Sequence, residues 1–424
     1  MMLIKNKKQI YNAKTKDAIQ ILEAGLDAAK PERILFRFVR KGKLDVNKKS
    51  YLLSKYRKIH LVAVGKAADS MAKLVHDKIH VDSGIIVIPQ NYNSMLSAKN
   101  FKIFRAGHPI PNKTSVIAAK SIINLVEGAK KEDLVIFLVS GGASALTCLP
   151  DGIALGQKQQ LTQILLRCGA SINEVNALRK HLSQIKGGRL LEHLHCAAVS
   201  FVMSDVVGDD LSSIASGLTY CDKTTYSECL GIIKKYGIEK QISAQALRQL
   251  KLGAKGKFAE TPKRPKIPNI VVASNQDCLD AMKNTATKLG YRTKIFAPLT
   301  GSTNSAAKKI LQNFSFRKKS CLIFGGETTV KVIGDGRGGR SQDLVLQILN
   351  RMMENTVVAA MGTDGIDGNT KDAGAIFYMI PRKNKVRDYL KNNDSNSFFK
   401  KYGGLITTGP THTNLLDIGL ILKS

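Results

Sequence analysis

Tryptophan is absent from this chain of 424 residues, and aromatic residues together make up only 6% of it. No apolar run approaches the roughly 18 to 20 residues that a membrane-spanning helix needs, and the start MMLIKNKKQI is too short an apolar stretch for a signal peptide. The seven cysteines include no C-x-x-C pair, so neither a disulfide framework nor a zinc knuckle is indicated. The sequence therefore predicts a folded cytoplasmic protein with reduced cysteines.

Acidic residues are scarce, since 33 Asp and Glu accompany 65 Lys and Arg, which leaves a net charge of +32. This excess favours anionic partners such as phosphates and carboxylates through long-range attraction. Nucleic acid would also be attracted, but the basic residues are scattered and lack the interleaved aromatic side chains of a single-strand-binding platform. We therefore expect small anions, rather than nucleic acid, to be the main partners.

Short apolar runs rich in β-formers alternate with helical periods along the first half of the chain. The predicted strands cover residues 60–65, 84–88, 134–140 and 197–203, and the predicted helices cover 66–79, 114–126, 156–167 and 173–183. Strands that are apolar on both faces and separated by helices are typical of a parallel sheet covered on both sides. We predict an α/β protein of two domains, in which residues 1–240 form a Rossmann-like, three-layer domain with a parallel sheet.

The segment KLGAKGKFAETPKRPKIP (251–268) contains three prolines and a cluster of lysines, which predicts a linker. Beyond it, the predicted strands cover 269–274, 292–297, 321–325, 328–334, 356–362 and 375–380. The runs 321–325 and 328–334 are separated only by Gly326 and Glu327, which favours a hairpin and hence a mixed sheet. We predict a C-terminal α/β domain over residues 265–424, a cleft between the domains that holds the substrates, and packing of the last residues on the N-terminal domain.

A glycine-rich loop, SGGASAL (140–146), follows the apolar run 134–139. Gly141 and Gly142 permit close approach of the backbone to a ligand, and the following amides and the hydroxyl of Ser144 can donate to a phosphate. A simple strand-to-helix turn is the alternative. A nucleophilic serine is disfavoured, because Leu146 stands where the G-x-S-x-G motif requires glycine.

Lys66, in VAVGKAADSM (62–71), opens a predicted helix. A cation is disfavoured there because the N-terminal end of the helix dipole is positive. A bound anion, shared by the ammonium group and the first helical amides, would remove that penalty. A Walker A loop is excluded, since Ala67 stands where Ser or Thr should contact magnesium.

Two further loops lie in the second half. GDGRGGRSQD (334–343) formally contains G-x-G-x-x-G, so a dinucleotide-binding enzyme is an alternative, although the suspected upstream hairpin argues against it. Arg337 and Arg340 in this loop suit recognition of carboxylate or phosphate. GTDGIDGNTKDAG (362–374) carries three aspartates, which suit either magnesium with phosphate oxygens or structural Asx-turns and a helix cap.

Together these segments resemble the glycerate 2-kinase family, whose C-terminal part is called the MOFRL domain. The resemblance extends over about residues 15 to 420. The motifs, in the family's order, are VAVGKAA (62–68), GHPIPN (107–112), SGGASAL, NALRKHLSQIKGGRL (176–190), SDVVGDDLSSIASG (204–217), FGGETTV (324–330), GRGGRSQDLVL (336–346), GTDGIDG and TGPTHTN (408–414). One departure is His412, which stands where we expect glycine.

The resemblance implies ATP-dependent phosphorylation of the C2 hydroxyl of D-glycerate, with a divalent cation, usually Mg²⁺. We expect Lys66 and Arg340 to be catalytic, with Arg337 in reserve. The expected nucleotide-binding residues are Ser140, Gly141, Gly142, Ser144, Ser204, Gly325, Gly326 and Glu327, and the expected metal ligands are Asp205, Asp364 and Asp367. An NAD(P)H-dependent hydroxypyruvate reductase and a basic nucleic-acid-binding protein stay as alternatives, and a homodimer stays open.

Overall fold

The structure of the protein is a computed structural model. It describes residues 3–47, 49–315, 317–351, 356–378 and 383–423, and in the last range it describes side chains only from residue 386 onward. The chain forms two compact units, one of residues 35–272 and one of residues 1–34 with 273–424. We call them the parallel-sheet unit and the mixed-sheet unit. All seven cysteines are free thiols. In the described ranges, no helix combines the length and apolar character needed to cross a membrane.

The strands are β1 (Val39–Arg40), β2 (Lys43–Val46), β3 (Lys49–Leu52), β4 (Ile59–Val64), β5 (Ser83–Pro89), β6 (Phe101–Ala106), β7 (Leu134–Val139), β8 (Ala197–Met203), β9 (Asn269–Ala273), β10 (Arg292–Leu299), β11 (Ser320–Gly326), β12 (Val357–Gly362), β13 (Gly374–Phe377), β14 (Leu405–Ile406) and β15 (Asp417–Lys423). The α-helices are α1 (Lys7–Ile10), α2 (Lys16–Ala28), α3 (Pro31–Ile34), α4 (Ala68–Lys78), α5 (Lys113–Gly128), α6 (Ala143–Leu146), α7 (Leu155–Arg167), α8 (Ile172–His181), α9 (Tyr226–Lys235), α10 (Ala244–Ala254), α11 (Asn275–Lys288), α12 (Thr303–Asn313), α13 (Arg340–Leu349), α14 (Lys383–Lys391) and α15 (Ser395–Tyr402).

The parallel-sheet unit is built on a six-stranded sheet in the order β6-β5-β4-β7-β8-β9. The strands from β6 to β8 all run parallel to their neighbours. Val62 and Val64 of β4 pack with Ile122 of α5, whereas Leu61 and Ala63, which point to the opposite face, are equally buried. Because both faces are covered, the predicted three-layer α/β domain is confirmed. Its four predicted strands match β4, β5, β7 and β8 within one residue at each end.

Two parts of this unit were not predicted. Strands β1, β2 and β3 form a small antiparallel sheet. Helices α9 and α10 were also not predicted; they share a separate apolar cluster with α7 and α8, the helices predicted at 156–167 and 173–183. Leu161, Leu178, Ile233 and Leu250 are buried in this cluster. The predicted linker begins too early, since α10 continues to Ala254 before residues 255–268 run without helix or strand to β9.

The mixed-sheet unit has a six-stranded sheet in the order β10-β11-β15-β12-β13-β14. Only β10 and β11 are parallel, and the other pairs are antiparallel, which confirms a mixed sheet. The last strand, β15, occupies the middle of this sheet between β11 and β12. The apolar residues of β15 are buried within this sheet, and the packing of the last residues on the N-terminal domain stays a prediction.

The predicted strand at 328–334 and its hairpin with β11 are wrong. β11 ends at Gly326, and residues 330–339 form neither helix nor strand. Val332 and Ile333 are 75% and 76% exposed, so this run has no apolar face to bury in a sheet. The predicted strand at 375–380 is described only to Tyr378, and β13 ends at Phe377.

The boundaries of the two units differ from those of the predicted domains, 1–240 and 265–424. Helix α2 belongs to the mixed-sheet unit, where Gly25 packs so tightly that a Cβ there would lie 2.8 Å from Cγ of Met282 in α11. β9 completes the parallel sheet beside β8. Both differences arise from pairings between segments far apart in sequence, which local patterns do not encode.

Candidate active site

Lys66 and the loop 140–144 meet at the carboxyl ends of the adjacent parallel strands β4 and β7. The backbone N–H of Lys66 donates to the carbonyl of Gly141 at 2.8 Å, and the N–H of Ala67 donates to Oγ of Ser140 at 3.0 Å. Helix α4 begins only at Ala68, so Lys66 precedes the helix rather than opening it. Two motifs more than 70 residues apart thus form one interlocked turn, in the position where parallel α/β sheets bind ligands.

Glycine at position 65 is required by this interlock. Its φ is +133°, and a Cβ there would lie 2.1 Å from Oγ of Ser140 and 2.6 Å from the Ser140 carbonyl oxygen. We expect Gly65→Ala to lower the free energy of unfolding by about 2 to 4 kcal/mol, through backbone strain and overpacking. Gly128→Ala is the matched control, because no atom lies within 4 Å of its Cβ position at the end of α5. Denaturant titration of both variants checks this, and equal stability would contradict it.

The side chains of His108 and Lys66 both lie beside Gly142. Its φ is +85°, and a Cβ there would lie 3.0 Å from the His108 ring and 3.5 Å from Cγ of Lys66. Beyond it, Oγ of Ser144 lies 2.8 Å from Oγ of Ser216. Ser216 has a φ of +53°, in the left-handed region that costs a non-glycine residue free energy. Sequence reasoning placed neither His108 nor Ser216 in the site, although both lie in motifs that carry the family resemblance.

Ser204 and Asp205 follow β8, which is the next strand beside β7. Ser204 is buried, and its hydroxyl donates to the carbonyl of Val206 at 3.2 Å. Asp205 is half-buried. Both residues therefore lie at the same edge of the parallel sheet as the loop 140–144.

A cavity of about 460 Å³ adjoins Gly142 and Ser144. Lys158, Arg179 and Lys186 line it, and both lysines are at least 90% buried. Burial lowers the pKa of Lys158 to about 8 and that of Lys186 to about 7, and it also lowers the pKa of Arg179. These three cations were not predicted, and the only sequence signal for them is the basic motif NALRKHLSQIKGGRL.

In the mixed-sheet unit, Arg340 stands at the first position of α13 between two carboxylates. Its Nε lies 2.6 Å from one Asp417 oxygen and its Nη2 donates to the other at 3.1 Å, while Nη1 donates to Glu327. The sheet register produces this arrangement, since Asp417 at the start of β15 pairs with Gly326 of β11 and with Gly362 of β12. Burial would lower the pKa of Arg340, but Asp417 and Glu327 outweigh it and raise the pKa.

Asp417 is a site residue that sequence reasoning missed. An aspartate at the start of the apolar run DIGLILK was the available signal. Burial raises its pKa to about 6, although Arg340 opposes that rise. Asp364 is close to it, because a Cβ at Gly362 would lie 3.0 Å from Oδ1 of Asp364 and 3.5 Å from Oδ1 of Asp417.

The glycine-rich loop 334–339 packs against the aspartate loop. Both carboxylate oxygens of Asp367 accept backbone N–H groups at the start of α13, from Ser341 at 3.0 Å and Gln342 at 2.8 Å. Burial nevertheless raises the pKa of Asp367 to about 7. Its carboxylate thus serves as a helix cap, one of the two roles the sequence left open. Arg337 is exposed, and its backbone N–H donates to Asp394.

Close packing explains why positions 325 and 326 are glycines. A Cβ at Gly325 would lie 2.3 Å from Oδ1 of Asn275, and one at Gly326 would lie 2.4 Å from the carbonyl oxygen of Leu299. Neither glycine therefore requires a ligand to account for it. Among the described residues, no group of three or more His, Cys, Asp and Glu is arranged to hold a metal ion on its own.

Comparison with known proteins finds matches in both parts of the chain. The model of a domain of unknown function, DUF4147, matches residues 17–251, and that of the MOFRL family matches residues 320–417. The chain is 37% identical to the D-glycerate 2-kinase of Thermotoga maritima over 432 residues, which cover 96% of this chain and 98% of that protein. The glycerate 2-kinase of Pyrococcus horikoshii is 34% identical and covers 94% of the chain, which itself spans 95% of that protein. This chain belongs to the glycerate 2-kinase family.

A crystal structure from the same family, the glycerate kinase of Thermotoga maritima, superposes with a TM-score of 0.81. It is 34% identical and covers 97% of this chain, which spans 99% of that chain. His412 has a φ of +56°, in the region that glycine adopts most readily. The backbone at this position is therefore one that the expected glycine would adopt without strain.

Proposed function

We propose that the protein transfers the γ-phosphoryl group of ATP to the C2 hydroxyl of D-glycerate. The observation that carries this proposal is the interlocked turn of Lys66 with the loop 140–144, in a chain of the glycerate 2-kinase family. The turn combines a cation, backbone amides and glycine clearance at the carboxyl edge of a parallel sheet. These are the features that phosphate recognition requires.

Phosphoryl transfer needs little covalent chemistry from the protein, and depends on positioning and on cations that stabilise the transferring group. We assign Lys66 and Arg340 to that stabilisation. Glu327 and Asp417 hold the Arg340 guanidinium in one orientation, which prepares the group before substrate arrives. Arg337, exposed on its loop, stays the reserve candidate. The backbone of residues 140–144, Ser204 and the segment 325–327 are the proposed contacts of the nucleotide.

Magnesium fits the residues of the mixed-sheet unit. Asp364 presents a carboxylate close to that of Asp417, whose two oxygens contact Arg340. Mg²⁺ commonly takes one or two carboxylates while water and phosphate oxygens complete its shell. We propose Asp364 as the principal ligand, with Asp205 as the candidate in the parallel-sheet unit. Asp367 is the weakest of the three expected ligands, because both of its oxygens already accept backbone N–H groups. When bound, the ion would neutralise charge on the phosphates.

The NAD(P)H-dependent reductase is disfavoured by the structure of the 334–339 loop. The dinucleotide fingerprint must directly follow a strand, but residues 330–339 form no strand.

Two assays of the purified protein test the choice. The first follows ADP production from ATP, Mg²⁺ and D-glycerate, with the product identified by phosphorus NMR as 2- or 3-phosphoglycerate. The second follows NADH consumption with hydroxypyruvate. We expect ADP and 2-phosphoglycerate in the first and no turnover in the second; the reverse result would establish the reductase.

A further inference from the structure

The cavity beside Gly142 and Ser144 concentrates positive charge. Its lining includes Lys158, Arg179 and Lys186, and no Asp or Glu is among its described lining residues. Within the described part of the chain, none of the three cations forms an ion pair with a carboxylate. Burying cations in this way is unfavourable unless an anion compensates them.

Each cation has a different local role. Lys158 donates to the carbonyls of Arg179 at 2.9 Å and Leu182 at 2.6 Å, so it satisfies the C-terminal end of α8. Lys186 donates to the carbonyl of Ala143 and to Oγ1 of Thr147, both at 3.2 Å. The guanidinium group of Arg179 makes no hydrogen bond or ion pair with any described residue. Its planar fork is thus the group most available to a ligand.

We propose that Arg179, supported by Lys186, binds the carboxylate of the hydroxy-acid substrate in this cavity. The inference rests on the proposed function and names the site for one of its two substrates. A guanidinium fork matches a carboxylate in two parallel hydrogen bonds. The hydroxyls of Ser144 and Ser216, 2.8 Å apart and both in the lining, are suited to contact the substrate hydroxyls.

A nucleoside triphosphate fits this cavity less well than a small carboxylate does. ATP is bound with Mg²⁺, which takes protein carboxylates as ligands, and the described lining contains none. Of the proposed magnesium ligands, Asp364 belongs to the mixed-sheet unit and Asp205 follows β8, and neither is among the described lining residues of the cavity. A small monocarboxylate needs no metal, and the two cations Arg179 and Lys186 are sufficient to compensate its single charge.

The test is steady-state kinetics and calorimetric binding with Arg179→Gln. We expect KM and Kd for D-glycerate to rise about 10- to 100-fold, as for a lost charge-assisted contact. KM for ATP and the melting temperature should stay unchanged, because the Arg179 side chain holds no other described group. Arg179→Lys keeps the charge without the fork and should recover only part of the affinity. Arg167→Gln is the control, an exposed arginine on α7 outside the cavity lining.

Two outcomes would overturn the site while leaving the kinase intact. One is an unchanged KM for glycerate in Arg179→Gln, and the other is a rise in KM for ATP instead, which would place nucleotide phosphates there. Failure of the proposed function is distinct, because wild-type protein would then make no ADP from glycerate. In that case calorimetry with lactate, hydroxypyruvate and glycerate still tests the carboxylate site, and no loss of binding in Arg179→Gln would reject it.

The pH dependence of binding gives an independent readout through Lys186, which faces Cys148, Lys158 and Arg179. Its pKa of about 7 must rise when an anion binds beside it, so binding takes up a proton above neutral pH. We expect Kd for D-glycerate to be lowest near pH 6 and to rise above pH 7, by at most about tenfold per pH unit. Lys186→Met should weaken binding at pH 6 and flatten this profile. Lys158, whose pKa is about 8, steepens the profile only at higher pH, so an equally steep profile between about pH 6 and 7.5 in Lys186→Met would exclude Lys186 from the site.

Discussion

Arg340→Ala is expected to lower kcat/KM for the phosphorylation of D-glycerate by about 100- to 1000-fold, since removing one fixed donor to the transition state costs about 3 to 4 kcal/mol. The guanidinium is held by Asp417 and Glu327, so its position is set before substrate binds. Arg340→Lys keeps the charge but cannot reproduce the fork, and should recover only part of the activity. Steady-state kinetics with saturating ATP measures both variants.

Stability must be separated from catalysis in this experiment. Without Arg340, the carboxylate of Asp417 stays buried and unpaired, which we expect to cost about 1 to 3 kcal/mol at neutral pH, less than for a fully buried pair. The folded-state pKa of Asp417 is already raised to about 6 and would rise further. A raised acid pKa stabilises the fold at low pH and loses that effect as pH increases, so the deficit in melting temperature should be larger at pH 8 than at pH 5.

A double variant separates the two effects. Arg340→Ala with Asp417→Asn removes the unpaired charge, and should regain most of the melting temperature but none of the activity. Arg351→Ala is the control just beyond the opposite, C-terminal end of α13, where the side chain hydrogen-bonds, among the described residues, to Gln347 and Asn304. Near-normal kcat/KM in Arg340→Ala, or full activity in the double variant, would remove Arg340 from the reaction.

Lys66→Met is expected to reduce kcat/KM by about 100- to 1000-fold with little change in melting temperature, because the contacts that lock its turn involve backbone groups of Lys66 and Ala67. The substitution keeps the aliphatic length of the side chain and removes only its charge. Thermal melts and kinetics at saturating Mg²⁺ give the two readouts.

The matched control for Lys66 is Lys73→Met. Lys73 lies on the helix that follows, where it forms an exposed ion pair with Asp77, and such pairs contribute little. We expect its activity to equal that of the wild type. Equal activity of Lys66→Met and Lys73→Met would show that the interlocked turn has a structural role alone.

Several features were available from the sequence because they depend on local pattern. The runs that became β4 and β7 are apolar on both faces, and this pattern is typical of buried parallel strands. The glycines at 65, 141 and 142 and the cation at 66 marked the carboxyl ends of those strands. The motif order also identified the family, and with it the chemistry for which Lys66 and Arg340 were chosen.

Other features were decided only by the tertiary structure, because they depend on pairing between distant segments. β15 comes last in the chain but lies in the middle of its sheet, which brings Asp417 to Arg340 across 77 residues. The run 328–334 contains strand-forming residues, but Val332 and Ile333 are exposed and pack against no apolar surface. The run therefore forms no regular strand. In the sequence, nothing distinguishes Arg179 and Lys186 from ordinary cations on a helix and in a loop. Packing of α7 and α8 beside the loop 140–144 places them in one cavity with no carboxylate among its described lining residues, and the proposed carboxylate site depends on that packing.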